Sequence, residues 1–295
     1  MLLNYRFALR SCAIALLIAT GASAQAPNYA AERAENAKGL TQPYGWFSLI
    51  GLESVKPGIT TVGSAKDNTV IVAAAPAHLM TLSNKDNVVT VTAAAPCLNF
   101  QDKPVSAGFV FSEDERLSSG LGCNTLRFWA IHRGNQRYLR IKDSNAPALQ
   151  HFHGLNWYAP DPRFRVTARW ILYPTPHTMN VMNKLGQITP VPVPGYVEFI
   201  LEGKTYKLTP MEADKDSLFF VFRDETFKQT TDGGGRFLST AAPSNGIDKP
   251  GTVVLDFNEA ENPPCAYTPY ATCPLATPEN RLPISITAGE KRYDN

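Results

Sequence analysis

A Pro-rich segment near the C-terminus, residues 255–290, limits what this chain can fold into more than any other stretch. It contains six prolines and two cysteines. No regular helix can run through it, because each proline lacks an N–H and resists helical continuation. Its apolar residues, such as Leu255, Phe257, Leu282 and Ile284, favour a segment that is held in place over one that is disordered.

Short runs of β-branched and aromatic residues recur along the rest of the chain, between Gly, Pro, Asn and Asp. This spacing is typical of β-sandwiches and barrels. The predicted fold is therefore mostly β: an N-terminal sandwich-like unit, then a second β unit closed by the Pro-rich segment. One short helix is expected at residues 29–38, ending at Gly39.

The first 24 residues have the pattern of a secretory signal peptide. Arg6 and Arg10 precede an apolar run at 12–20, and a small-residue cleavage site ends at Ala24. The apolar run is too short to span a bilayer. We therefore expect cleavage after Ala24, export to the periplasm or the medium, and no membrane insertion of the mature chain.

The remaining chain changes composition near residues 144–162. We predict a helix and linker at 25–44, an N-terminal β unit at 45–150 and a C-terminal β unit at 151–295. The opening GSAKDNTVIV of the first unit is similar to that of forkhead-associated β-sandwiches. The phosphothreonine-reading Arg and Ser of that family are missing here, so phosphopeptide binding is not expected.

Net charge excludes some partners. Removing residues 1–24 leaves 271 residues (295 − 24), with 26 basic (28 − 2) and 26 acidic side chains. A neutral chain does not favour nucleic acid or anionic lipid. A small polar ligand or a protein partner remains.

The mature chain contains Cys97, Cys123, Cys265 and Cys273. An even number in an oxidising compartment favours disulfides. Proximity in sequence favours Cys97–Cys123 and Cys265–Cys273; for the second pair, thiols and zinc are the alternatives. Zinc is disfavoured because the spacer is long and no His lies nearby. No metal or other cofactor is expected.

Several segments together form a specific pattern. They are GWFSLIGLESVKPG (45–58), RYLRIKD (137–143), LFFVFRDET (218–226), GRFLST (235–240), DFNEAENPPCAYTPYATCPL (256–275) and ENRLPISITAGEKRY (279–293). These segments resemble the bacterial domain-of-unknown-function family 1684. The resemblance implies a fold and no established reaction. This chain departs from the family pattern at 259–261, where Glu259 and Glu261 are additional carboxylates.

Polar residues gather where the apolar run TVVL ends. Asp256 and Asn258 are two positions apart on a strand end and share a face. Together with neighbours they can surround a cation or a polar ligand, or they can cap turns of the backbone. Those neighbours are Glu259, Glu261, Asn262 and Glu279.

Arg236 follows three glycines that allow close backbone approach. We predict that Arg236 and Asp256 pair in one buried cluster, with Asn258 and Asn262 at its edge, because a carboxylate leaving an apolar strand needs donors. The alternative is that Arg236 binds an anionic substrate.

Two classes of function follow. The first is binding of a small polar or glycan-like ligand, or of a protein partner, beside the Pro-rich segment. Its ligand-binding residues would be Arg236, Asp256, Asn258, Asn262 and Asn280. The second class is a hydrolase-like enzyme with Asp256 and a nearby Glu, such as Glu279, as acid and base. The sequence favours the first class and leaves enzymatic activity open.

Overall fold

The structure is a computed structural model that describes residues 27–111 and 120–293. The predicted signal peptide and its cleavage site lie outside the described residues. The described chain is mostly β, as the sequence predicts. None of the helices within it is both long and apolar enough to cross a membrane.

The N-terminal half forms two β-sheets. Its strands are β1 (Leu49–Ser54), β2 (Gly58–Gly63), β3 (Val70–Ile71), β4 (Met80–Lys85), β5 (Val88–Ala94), β6 (Asn99–Phe100), β7 (Lys103–Pro104), β8 (Phe109–Val110), β9 (Leu121–Cys123), β10 (Leu126–Arg133) and β11 (Gln136–Asp143). One sheet has the order β1-β11-β10-β9-β6-β7 and the other β3-β2-β4-β5-β8. Gly134 and Asn135 form the predicted hairpin turn, since Arg133 pairs with Gln136.

Both sheets contribute to one hydrophobic core, so they pack face to face. Val62 and Leu82 come from one sheet, and Phe128 and Leu139 from the other. All buried members of this core lie between residues 55 and 141. The predicted sandwich-like unit is confirmed; its exact limits and its likeness to forkhead-associated domains stay predictions.

A disulfide joins Cys97 to Cys123, as the sequence predicts. It links the loop before β6 to the end of β9, and Cys123 is fully buried in the sandwich core. A disulfide is compatible with an oxidising compartment. Export itself stays a prediction.

The second predicted disulfide, Cys265–Cys273, is wrong: both residues are thiols. The backbone N–H of Cys265 donates to Sγ of Cys273 at 3.2 Å. The segment is held here by hydrogen bonds and by packing, so it does not need the crosslink. Thr268, for example, donates its hydroxyl to the carbonyl of Leu49.

Thiol counting tests this correction. In denaturant without reductant, the mature chain should show two reactive thiols, Cys265 and Cys273, and four after reduction of Cys97–Cys123. A Cys265→Ser/Cys273→Ser variant is the control and should show none before reduction. A wild-type count of zero without reductant would mean that the second disulfide forms.

The C-terminal half forms two further sheets. Its strands are β12 (Arg165–Met182), β13 (Ile188–Leu201), β14 (Lys204–Leu208), β15 (Glu212–Ala213), β16 (Ser217–Phe222), β17 (Arg236–Ala241) and β18 (Gly251–Asp256). The sheet orders are β14-β13-β12-β18 and β15-β16-β17. Their shared core contains Trp170, Phe199, Phe220 and Leu255. Four alternate residues of the Pro-rich segment also belong to it: Leu282, Ile284, Ile286 and Ala288. The predicted closure of this half by the Pro-rich segment is thereby confirmed.

Helices occupy the connections. They are α1 (Tyr29–Leu40), α2 (Pro147–Gln150) and single 3-10 turns at Trp46–Ser48, Pro162–Phe164, Phe257–Glu259, Pro264–Ala266 and Pro278–Asn280. Helix α1 runs past the predicted end at Gly39, because Leu40 is buried against Phe47 and Tyr267. The hydroxyl and N–H of Thr41 both donate to Ala37, which closes the last turn.

Candidate functional site

Helix α1 lies along the beginning of the Pro-rich segment. The hydroxyl of Tyr29 donates to Asp256 at 2.8 Å, and Arg33 donates to the carbonyl of Asn258 at 3.4 Å. Further along the same face, Leu40 packs on Tyr267. Residues three and four apart share a helix face. Asn36 therefore faces the segment between Arg33 and Leu40.

Asp256 is the first of the predicted site residues that α1 contacts, and its carboxylate accepts hydrogen bonds from several donors. It accepts from Tyr29, from Nε of Arg165 at 3.1 Å, and from the backbone and side chain of Asn258 at 3.1 and 2.9 Å. The predicted pairing with Arg236 is wrong. Strand β18 pairs with β12 so that Arg165 lies opposite Asp256, which brings a different arginine to it.

Arg236 is buried as predicted, but its partner is Asp224. The two side chains are each 1% exposed, and Nη2 of Arg236 lies 3.0 Å from the Asp224 carboxylate. Arg236 also donates to the carbonyls of Ile286 and Ala288. In the pairing of β16 with β17, Arg236 lies opposite Phe222, two residues before Asp224. An added Cβ at Gly235, whose φ is +102°, would lie 2.7 Å from the carbonyl of Phe222, so this close approach requires glycine.

Two of the predicted ligand-binding asparagines bind backbone instead. The Asn258 amide bonds the N–H and the carbonyl of Asp161 at 2.8 and 2.9 Å. The Asn280 amide bonds the N–H and the carbonyl of Thr209, both at 2.8 Å, and the carbonyl of Val221 at 3.0 Å. Neither ligand binding nor turn capping describes these bonds, because they join backbone groups 59 to 97 positions away in the sequence.

Glu279, the other predicted catalytic candidate, is remote from Asp256. Its carboxylate lies 3.4 Å from His177 and accepts from Thr209 at 3.3 Å. His177 and the Asp256 partner Arg165 are twelve residues apart on β12, or about 40 Å along an extended strand. Asp256 and Glu279 therefore do not form an acid–base pair.

Four glutamates lie close together near the start of the Pro-rich segment, and the sequence analysis named only two of them. We call Glu32, Glu259, Glu261 and Glu290 the glutamate cluster; they come from α1, from the turn after β18 and from the end of the Pro-rich segment. Burial is the largest cause of the raised pKa of Glu261, and the charges of the other three members raise it further. The sequence pointed to Glu259 and Glu261, and it missed Glu32 and Glu290.

Glu290 is the buried end of the cluster. It is 0% exposed, and its carboxyl group accepts from the hydroxyl of Tyr267 at 2.7 and 2.9 Å and from the N–H of Asn262 at 2.9 Å. Gly289 places it there: its φ is +79°, and an added Cβ would lie 2.5 Å from the carbonyl of Ala260. In the sequence, only the glycine of the Ala-Gly-Glu triplet at 288–290 indicates the turn that places Glu290.

Burial is the largest cause of raised pKa values in the cluster. It raises the pKa of Glu290 to about 7. Burial, followed by Glu290, Glu259 and Glu32, raises the pKa of Glu261 to about 8. Burial and the nearby Asp256 raise the pKa of Glu259 to about 7, against the attraction of Arg165. Protonated and ionised carboxyl groups therefore coexist here near neutral pH.

Several polar atoms at the contact between α1 and the Pro-rich segment lack partners within the described chain. They are both side-chain amide atoms of Asn36, Nε of Arg33 and Oδ1 of Asn262. Asn262 is only 3% exposed, and its Nδ2 donates to the carbonyl of Lys291 at 2.7 Å. Its side chain also lies beside Tyr267 and Glu290. Buried polar groups usually have a partner, so these atoms are exceptions that need an explanation.

Fold and site together define a mostly β protein whose C-terminal half is closed by a Pro-rich segment bearing buried glutamates. The family model described as "Protein of unknown function (DUF1684)" matches residues 150–291, which confirms the resemblance over this range. The match contains Glu259, Glu261 and Glu290, while α1 lies outside it.

Solved structures that are similar to part of the chain include the solution NMR structure of an uncharacterized protein of Haloarcula marismortui, with 30% identity and a TM-score of 0.40. The match covers 48% of this chain and 78% of that one. No curated protein matches the chain.

Proposed function

We propose that this protein binds a small polar ligand between α1 and the Pro-rich segment, at the glutamate cluster. The observation that carries the proposal is the set of buried polar atoms without partners among the described residues, the Asn36 amide and Oδ1 of Asn262, near the half-buried Glu261. Leaving such groups unpaired costs roughly 1–3 kcal/mol each when they are buried. A ligand that satisfies them recovers this free energy.

Exposure supports the same location. Glu261 is half-buried, whereas Glu290 beside it is fully buried. Part of Glu261 is therefore open to solvent, while Glu290 is held by hydrogen bonds from Tyr267 and from the N–H of Asn262. Preorganised groups of this kind bind with little loss of conformational entropy.

A screen tests this proposal. Monosaccharides, polyols, amino acids and small amines are tested by ligand-observed NMR against wild type and Glu261→Gln. The variant keeps the side-chain size and removes the ionisable group. At pH 8.5 Glu261, with a pKa of about 8, is mostly ionised, so we expect at least tenfold weaker binding there, because a hydrogen bond to a charged group contributes roughly 1.5–3 kcal/mol.

The matched control is Glu225→Gln, which changes an exposed glutamate in the same half of the chain and should bind as wild type does. Equal binding by wild type and Glu261→Gln for every compound found would contradict the proposed location.

The second candidate function is acid–base catalysis, now with Glu259 and Glu261 as the carboxyl pair. The pKa values of about 7 and about 8 favour it, because an efficient general acid or base has a pKa near the working pH. Asp256, whose carboxylate accepts from Tyr29, Arg165 and Asn258, is less suited to proton transfer.

A further inference from the structure

Two arginines, Arg223 and Arg281, lie side by side where the Pro-rich segment pairs with the residue after β16; we call them the arginine pair. They form a parallel bridge, in which the N–H of Arg223 donates to the carbonyl of Asn280 at 3.1 Å and accepts the N–H of Leu282 on its own carbonyl at 2.8 Å. Asp224 and Leu282, the next residue of each segment, are buried. Successive side chains of an extended chain point to opposite faces, so the arginine pair lies on the outer face.

The arginine pair has no ionic partner within the described chain. Neither side chain takes part in a hydrogen bond or an ion pair there. The carboxylates nearest in sequence on this face have other contacts: Glu225 accepts from the hydroxyl of Ser285 at 3.4 Å, and Glu279 lies 3.4 Å from His177. The positive charges of the pair are therefore left to repel each other. Burial lowers the pKa of the Arg223 guanidinium, and the charge of Arg281 lowers it further.

An aromatic ring and a lysine adjoin the pair. The guanidinium carbon of Arg223 lies 4.2 Å from the centre of the Phe227 ring, and Nζ of Lys228 lies 5.2 Å from the same ring. Lys228 has a φ of +60°, in the left-handed region that residues with a side chain rarely adopt. It too lacks an ion pair among the described residues. Arg223, Arg281 and Lys228 together form what we call the cationic patch.

The loop that carries the patch is anchored in the interior. The hydroxyl of Thr226 donates to Asp224 at 2.7 Å and shares a hydrogen bond with Thr231 at 2.8 Å. The N–H groups of residues 229–231 all donate to the carbonyl of Thr226. Asp224 is in turn paired with the buried Arg236. The positive charges are thus held in place by the fold, and a preorganised site binds with little loss of conformational entropy.

The donors of the patch determine what it can bind. Guanidinium and ammonium groups donate hydrogen bonds and accept none. A single carboxylate is matched by one guanidinium fork, whereas a tetrahedral dianion has enough oxygens to accept from two forks at once. Two adjacent arginines with a lysine therefore fit a phosphate or sulfate group better than a carboxylate.

We propose that the cationic patch binds the phosphate or sulfate group of a ligand. Both arginines donate to the oxygens of this group, Lys228 adds a third positive charge, and the Phe227 ring supports Arg223. The site goes beyond the function proposed above, because it uses none of the residues of the glutamate cluster.

Inorganic phosphate, sulfate and acetate test the ligand class. Each is titrated as its potassium salt into the mature protein at pH 7.0, and potassium chloride keeps the ionic strength constant, because salt screens exposed charges. The side-chain Nε–H NMR signals of Arg223 and Arg281 are followed. We expect phosphate and sulfate to shift both signals and to bind at least tenfold more tightly than acetate; the tighter of the two identifies the preferred group.

Arg223→Gln and Arg281→Gln each keep a polar side chain and remove one charge, and each should weaken the binding of phosphate and sulfate at least tenfold. The matched control is Arg163→Gln, which changes an exposed arginine that has a carboxylate partner, Asp161, and should bind as wild type does. Arg281 is exposed, so Arg281→Gln should unfold in potassium chloride at a temperature no lower than wild type.

The proposal is overturned if neither arginine signal shifts, if acetate binds as tightly as phosphate and sulfate, or if both variants of the pair bind these anions as wild type does. Binding at the glutamate cluster is decided separately by Glu261→Gln, which leaves the cationic patch unchanged.

Discussion

Arg236→Ala should lower the free energy of unfolding by about 3–5 kcal/mol, the range for breaking a buried ion pair by removing one partner. Asp224 is 1% exposed, and loss of the guanidinium leaves its charge uncompensated. The carbonyls of Ile286 and Ala288 lose donors in the same step. Urea unfolding of wild type and variant at pH 7 measures the difference.

Arg165→Ala is the matched control, because it removes an arginine from a carboxylate where the arginine is 43% exposed. Asp256 keeps its bonds from Tyr29 and Asn258, so a loss of about 1 kcal/mol or less is expected. A second variant, Arg236→Met/Asp224→Leu, replaces the pair by apolar side chains and should recover much of the loss. A change below about 1 kcal/mol for Arg236→Ala would show that the pair does not organise this half.

Stability should fall as pH rises from about 5 to about 8. Glu261, Glu290 and Glu259 have pKa values of about 8, 7 and 7 in the folded protein, above the ordinary value of 4.5. Within this window the folded state binds more protons than the unfolded state, so the free energy of unfolding decreases with pH. The total loss is on the order of a few kcal/mol, since interacting carboxyl groups titrate together.

Glu261→Gln should flatten this dependence and should be more stable than wild type at pH 8.5, because the amide cannot ionise. Urea unfolding at pH 5, 7 and 8.5 gives the three free energies needed. Glu225→Gln alters an exposed carboxyl outside the cluster and should retain the wild-type slope. A wild type that gains stability over this range would contradict the raised pKa values.

The sequence predicted the sheets better than the pairing of the polar groups. Alternating β-branched runs and the Gly134-Asn135 turn act locally, so the strands and the β10–β11 hairpin could be read directly. The partner of Asp256 depends on which strand lies beside β18. That register is a long-range choice, and it selects Arg165 over Arg236.

The candidate site depends even more on contacts between residues that are far apart in the sequence. Glu261 could be named from the sequence because it is an additional carboxylate directly before Asn262. Glu290 and Glu32 could not, since only the turn at Gly289 and the docking of α1 bring them to Glu261. The cysteines of the Pro-rich segment were misjudged for a related reason: the strength of noncovalent packing around Tyr267 is invisible in the sequence.

The contact between Tyr29 and Asp256 spans 227 positions of the chain and has a consequence for biogenesis. The buried residues of the sandwich core all lie between 55 and 141, so that unit can mature early in synthesis. Helix α1 emerges before it, yet the residues that the helix contacts, together with Ile286 and Ala288 that receive Arg236, are synthesised after the sandwich. The first helix therefore has no partner surface until these residues of the C-terminal half have been synthesised.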